Sequence, residues 1–344
     1  MRRQSIGFVV ASLLLFLCTI SAAPARAADP FEGKTINIIV GYSSGGGYDV
    51  YSRVIARHIS QHIPGKPNVV VQNMPGAGSA KAAAYIFSAA PKDGTAIGSV
   101  SPGVIIGPLL DPKSDQRYEP TKLVYIGTAD SGTRVCATLK RSKISTFEDA
   151  QKHKTIIGGV APGSSTTDYA WLHKRTSGAN FEVVSGYPGS AEITLAMERG
   201  EVDGICGMDW SSLKSQHPEW LRDDRMNVIV QAGLKPNPEL TRLGVPEIWQ
   251  FTEGENNRKA VELIVAQQVF GRPFILPPGT PELQVGILRK AFDLTMRDPQ
   301  FLADAAKLGL AVEPADGETV QAAVAKIYAS SPEVVAKARA AIEP

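Results

Sequence analysis

Thr35-Ile36-Asn37-Ile38-Ile39-Val40 runs straight into Gly41-Tyr42-Ser43-Ser44-Gly45-Gly46-Gly47, and Tyr48-Asp49 then opens a helical pattern. In that pattern Val50, Val54, Ile55 and Ile59 recur on one face, so the stretch reads as strand, glycine-rich loop and amphipathic helix. The alternation continues downstream. A strand is expected at 69–72, a turn at 74–78, an alanine-rich helix at about 79–89, and a strand at 95–100 behind Pro91-Lys92-Asp93-Gly94. Roughly 120 residues later the same order returns: strand 155–160, small-residue loop 161–167, helix 168–175 and strand 181–185. The turn Tyr187-Pro188-Gly189-Ser190, a helix at 191–199 stopped by Gly200 and a strand at 202–206 complete the copy. Such a chain predicts mostly parallel sheets covered on both faces, in two similar α/β lobes. The end is helical: Thr280 and Pro281 read as cap and first-turn residue of a helix carrying Leu283, Ile287, Leu288, Phe292 and Leu294, and 308–312 reads as a short strand.

The chain has 344 residues, the length of two ordinary domains. It is 43% hydrophobic and 20% charged, which excludes wholesale disorder. With 36 basic and 34 acidic residues it lacks the basic excess of a nucleic-acid-coating protein. Residues 1–27 read as a secretory signal peptide: Arg2 and Arg3, an uncharged apolar run at 6–20, then Ala25-Arg26-Ala27 as a small-x-small cleavage site. The apolar run is shorter than the roughly 20 residues a spanning helix needs. Cleavage after Ala27 removes three arginines and no acid, taking the formal charge from +2 to −1. Cys18 leaves with the leader. Cys136 and Cys206 remain in an oxidising compartment, and spacing alone leaves open whether they pair or sit as two core cysteines. The expectation is an exported, soluble, nearly neutral monomer.

Gly41-Tyr42-Ser43-Ser44-Gly45 matches the G-x-S-x-G nucleophile elbow and lies between strand and helix. A serine esterase also needs sheet strands before the elbow and a histidine late in the chain. The histidines are His58, His62, His153, His173 and His217, so that reading is the weaker one. The glycines read better as a loop whose amides approach an anion at the positive end of the next helix. No Lys-Ser/Thr ending follows, so a nucleotide phosphate loop is not indicated. Gly76-Ala77-Gly78-Ser79-Ala80-Lys81 breaks the dinucleotide fingerprint at Lys81 and reads as a second helix start on the same crevice. Gly163-Ser164-Ser165-Thr166-Thr167 and Tyr187-Pro188-Gly189-Ser190 hold equivalent places in the second copy. Asp49 and Asp168 read as first-turn capping carboxylates, and Asp209-Trp210 as crevice or core. No metal-ligand spacing and no cofactor motif is present.

These residues resemble the Bug family, the periplasmic substrate-binding proteins of tripartite tricarboxylate transporters. The resemblance rests on Ile38-Ile39-Val40 before Gly45-Gly46-Gly47-Tyr48-Asp49 and Arg53, on Val69-Val70-Val71-Gln72-Asn73-Met74-Pro75-Gly76-Ala77-Gly78, and on Asp93-Gly94. Gly163-Ser164, Gly200-Glu201-Val202, Val245-Pro246-Glu247 and Pro277-Pro278-Gly279-Thr280-Pro281 extend it across the chain after the leader. It implies a type II periplasmic-binding fold, two α/β lobes with a ligand cleft between them, joined by crossovers at 125–131 and 265–276. The implied division is 28–128 for the first part of lobe 1, 129–254 for lobe 2, and 255–344 for a crossover strand and the rest of lobe 1. The implied function is capture of a small organic anion, typically a carboxylate held by amides and waters, and delivery to membrane permease subunits. A sensor kinase is the alternative partner. The resemblance places the carboxylate at Gly45–Asp49 and Gly163–Thr166, and with the loops read above the candidate ligand set is Tyr42, Ser43, Ser44, Gly45, Gly46, Gly47 and Asp49, with Gly76, Ala77, Gly78 and Ser101 beside it. From the other lobe come Gly163, Ser164, Ser165, Thr166, Tyr187, Gly189 and Asp209. The chain departs from the family pattern in having Tyr48 where a small residue is usual, no proline near Ser43, and no histidine near Thr167.

Overall fold

The computed structural model describes residues 29–111 and 117–344. The signal-peptide reading of 1–27, with Cys18, lies outside the described residues. Among the described residues eleven strands are formed: β1 (Thr35–Val40), β2 (Asn68–Asn73), β3 (Ala96–Ser99), β4 (Val124–Thr128), β5 (Arg134–Leu139), β6 (Thr155–Gly159), β7 (Phe181–Ser185), β8 (Gly204–Asp209), β9 (Met226–Ala232), β10 (Pro273–Leu276) and β11 (Ala315–Asp316). They build two sheets, in the orders β11-β4-β10-β3-β1-β2 and β7-β6-β8-β5-β9. Reversing the first order gives β2-β1-β3-β10-β4-β11, whose first five places match the second sheet and whose edge strand β11 has no counterpart there. The repeated sequence pattern is thus a repeated lobe.

The sheets are mixed, not mostly parallel. β1 pairs in parallel with β2 and β3, and β6 with β7 and β8, as alternating strands and helices require. Each lobe then accepts one antiparallel strand from the far side of a crossover: β10 between β3 and β4, and β5 between β8 and β9. Both faces of each sheet are buried. Along β1, Ile38 and Val40 join the core containing Ile55 and Phe292, while Ile39 faces the core of Ala82 and Ile86. A Cys136–Cys206 disulfide joins β5 to β8.

Local expectations shift in five places. The second crossover is a strand only at Pro273–Leu276, because Val261, Ile264 and Val265 recur at helical spacing and belong to helix Glu255–Ala266. The 308–312 segment pairs with nothing: Gly309, at φ +67°, turns the chain after helix Pro299–Lys307, and β11 takes the sheet edge instead. Helix Glu282–Arg297 has Pro281 as its N-cap, since the Thr280 hydroxyl donates to the Pro277 carbonyl. The helix expected at 168 begins earlier, as Ser165–Thr176. β8 starts later and runs to Asp209.

Candidate functional site

Helices Gly47–Ile59, Ser165–Thr176 and Ser190–Arg199 begin at N-caps Gly46, Ser164 and Gly189, and none has a side-chain cap. Some helices elsewhere are capped, as Thr146, Asp298 and Asp316 cap Phe147–Lys152, Pro299–Lys307 and Gly317–Tyr328, while others, such as Glu255–Ala266 behind Gly254, are not. The three uncapped ends meet at one cavity of about 40 Å³ between the lobes. Gly46, Gly47, Tyr42 and Tyr48 form its lobe 1 wall, and Ser164, Ser165, Thr166 and Ser190 face them from lobe 2. Unpaired amides at a helix start, with the helix dipole behind them, make an anion site without any further group.

The lobes are closed on each other. Ser43 Oγ donates to Glu192 Oε2 at 2.7 Å, and Ser101 Oγ to the Gly163 carbonyl at 3.4 Å. Gly47 is needed for this approach, because a Cβ there would stand 2.6 Å from Ser212 Oγ. At Gly103 a Cβ would meet the Gly163 carbonyl oxygen at 1.6 Å. Ser43 has a glutamate partner, and among the described residues no histidine bonds to it. The chemistry of the elbow is not assembled.

The expected residues separate into groups. Tyr42, Gly46, Gly47, Ser164, Ser165, Thr166 and Asp209 come together around the small cavity. Ala77, Gly78 and Gly163 instead line a wider cavity of about 380 Å³ together with Gly103, Tyr118 and Asp168. The expected second helix start therefore does not share the same pocket. Its chain is also bent: Ala77 and Ser79 both have positive φ, and helix Ala80–Ser88 starts after them. Gly45 borders an outer groove with Leu195 and His217. Ser43, Ser44, Gly76, Ser101, Tyr187 and Gly189 line neither cavity.

Asp49 shapes its loop from behind. Its carboxylate accepts from the Gly45 amide, Arg53 Nε and Asn73 Nδ2, each at 2.9 Å. Burial works against the charge, but these three bonds outweigh it and hold the carboxyl below its usual range. Ser164 and Thr166 bond to each other at 2.8 Å instead of capping. Asp168 accepts the Gly163 amide at 2.8 Å, yet burial pushes its carboxyl up to about 7.

Two arginines complete the cavity, and the sequence reading, which needed no basic side chain, missed both. Arg134 begins β5 and Arg272 precedes β10. Arg272 Nη2 lies 3.0 Å from Asp209 Oδ1 and donates to Ser212 Oγ at 2.6 Å. Its Nε lies 3.6 Å from Asp130 Oδ2, and its guanidinium stacks over Tyr51 at 4.1 Å. Asp209 Oδ1 also accepts from the Ser211 hydroxyl and the Ser212 amide, so this oxygen is fully engaged. Burial disfavours its charge, but Arg272 and Arg134 outweigh that and keep it ionised. Asp130 goes the other way: burial and the neighbouring Asp209 push it up to about 7. Arg134 has only a 3.2 Å bond from Nη2 to the Gly271 carbonyl. The one signal in the sequence was a charge leading an otherwise apolar strand, in Arg134-Val135-Cys136-Ala137 and Arg272-Pro273-Phe274-Ile275.

No protein-family model matches the chain. It is 28% identical over 308 residues to the "UPF0065 protein in gbd 5'region" of Cupriavidus necator, covering 85% of this chain and 84% of that one. Among solved structures it is similar to the periplasmic binding protein BugD, with TM-score 0.71 and 19% identity over 89% of this chain and 96% of that one. It is also similar to MatC from Rhodopseudomonas palustris with bound malate, with TM-score 0.69 and 17% identity, covering 91% and 100% of the two chains. The shared fold is a pair of α/β lobes around a cleft.

Proposed function

We propose, from the premise that the chain is related to the Bug family of substrate-binding proteins, that it is a periplasmic receptor for a small carboxylate. It captures the solute between its lobes and presents it to permease subunits of a tripartite tricarboxylate-type transporter. One observation carries the reading: three helix N-termini without side-chain caps converge, with Arg134, on one cavity between the lobes. The malate in the related fold of MatC supports a carboxylate as the class of ligand. In this reading the Gly46–Gly47 and Ser164–Thr166 amides hold the anion. Ser43–Glu192 and Ser101–Gly163 are contacts that form on closure, so binding energy is linked to lobe position. The closed surface is then what a permease recognises.

The test is a melting experiment on protein unfolded and refolded to remove bound solute, with a panel of mono-, di- and tricarboxylates. A ligand at a hundred times its Kd adds about 2.7 kcal/mol and raises Tm by several degrees. If no member of the panel moves Tm, the carboxylate reading fails.

A further inference from the structure

Arg134 is 4% exposed and faces the cavity that Gly46, Gly47 and Ser164–Thr166 enclose. A guanidinium has five N–H donors, and here one bond to the Gly271 carbonyl is formed. Among the described residues no carboxylate lies within ion-pair distance of it, whereas Arg272 is matched by Asp209. Asp209 feels the Arg134 charge from beyond ion-pair distance, so this guanidinium is incompletely compensated for its burial, and an anion arriving in direct contact offsets that cost. Arg134 therefore presents guanidinium donors to the cavity, beside amides that also favour an anion.

Length is limited by a different residue. Tyr48 stacks on Tyr42 with ring centroids 4.8 Å apart, and its hydroxyl donates to the Gly271 carbonyl at 3.2 Å. The two rings wall a cavity of about 40 Å³, room for a few water-sized groups beside them.

We infer that Arg134 reads the charge of the solute and Tyr48 its length, so that the cleft selects a compact, singly charged carboxylate over longer di- and tricarboxylates. The inference rests on the carboxylate-receptor reading above and narrows it.

Calorimetric titration of the refolded protein with acetate, propanoate, propanamide, malate and adipate tests it. Wild type is expected to bind propanoate roughly thirtyfold or more tightly than its neutral amide, the range for losing a buried charge pair. Propanoate is also expected to bind more tightly than malate or adipate. Arg134→Gln is expected to close the acid–amide gap and Arg134→Lys to restore part of it. Tyr48→Ala is expected to improve adipate relative to propanoate. Equal binding of propanoate and propanamide by wild type overturns the inference whether or not Arg134→Gln folds. So does an acid–amide gap that survives in a folded Arg134→Gln. Tighter binding of malate or adipate than of the short acids overturns this inference and leaves the receptor reading standing. Binding of none of the acids overturns both.

Discussion

β5 and β10 occupy the same place in their two lobes, each an antiparallel strand inserted among parallel ones, and each follows or begins with a buried arginine. Beyond that they differ. Arg272, ahead of β10, is matched by Asp209, bonded to Ser212 and stacked over Tyr51. Because Asp130 follows β4 and Asp209 ends β8, this one guanidinium ties both lobes to the crossover between them. Arg134, at the start of β5, is left with a carbonyl. Its strand is fastened in another way, by the Cys136–Cys206 disulfide to β8, while β10 is held by hydrogen bonds and packing. One scaffold position thus serves as frame and its counterpart as binding wall. The difference lies in whether the charge is balanced inside the protein.

Reducing the disulfide should have the largest effect. The cysteines are 70 residues apart, and releasing a loop of that length costs about 4 kcal/mol of stability. Urea unfolding with and without reductant measures it, and unchanged stability would mean β5 is held by packing alone. Asp209→Asn comes next, at up to about 3 kcal/mol, because it removes the closer carboxylate of buried Arg272 and leaves only Asp130 at 3.6 Å. A loss under about 1 kcal/mol in the same assay would remove the contrast between the two arginines.

A third test concerns the face of lobe 2 behind the disulfide. The His173 ring packs against Phe147, Tyr169 and Phe181, its Nδ1 has no partner, and burial pushes its pKa from 6.5 down to about 3. The unfolded chain therefore takes up a proton below pH 6.5 that the folded chain refuses until near pH 3. Its contribution is complete above about pH 6.5 and lost as pH falls, by about 2 kcal/mol at pH 5. The stability difference between wild type and His173→Phe, followed from pH 7 to 5, should shrink or reverse by that amount. A pH-independent difference would contradict it. Arg134→Gln should cost least of all, because removing a buried charge that no carboxylate among the described residues contacts leaves unliganded stability unchanged or somewhat raised. A loss comparable to that of Asp209→Asn would return Arg134 to the frame.

Much of the scaffold was legible because it is written in local periods. β1 and β6 are short apolar runs set off by small-residue loops, and the helix after β1 carries its apolar residues at helical spacing. The inserted strands were not legible as antiparallel. A strand buried on both faces has the same apolar run whichever way it is paired, and its neighbours come from the other half of the chain. The site divided along the same line. Gly46, Gly47 and Ser164–Thr166 announce themselves as small residues before helices. Arg134 and Arg272 are single residues in separate crossovers, and only the fold brings them to one cavity. Gly76, Ala77 and Gly78 had the right local pattern, but their loop faces the wider cavity.

The central claim is that a carboxylate sits where the uncapped helix ends and Arg134 meet. A crystal structure of the refolded protein with its tightest-binding acid tests this most directly. The account predicts a carboxylate between Gly46–Gly47 and Ser164–Thr166, with an oxygen within hydrogen-bond distance of the Arg134 guanidinium. An acid bound instead in the wider cavity beside Tyr118 and Asp168, with Arg134 untouched, would contradict it.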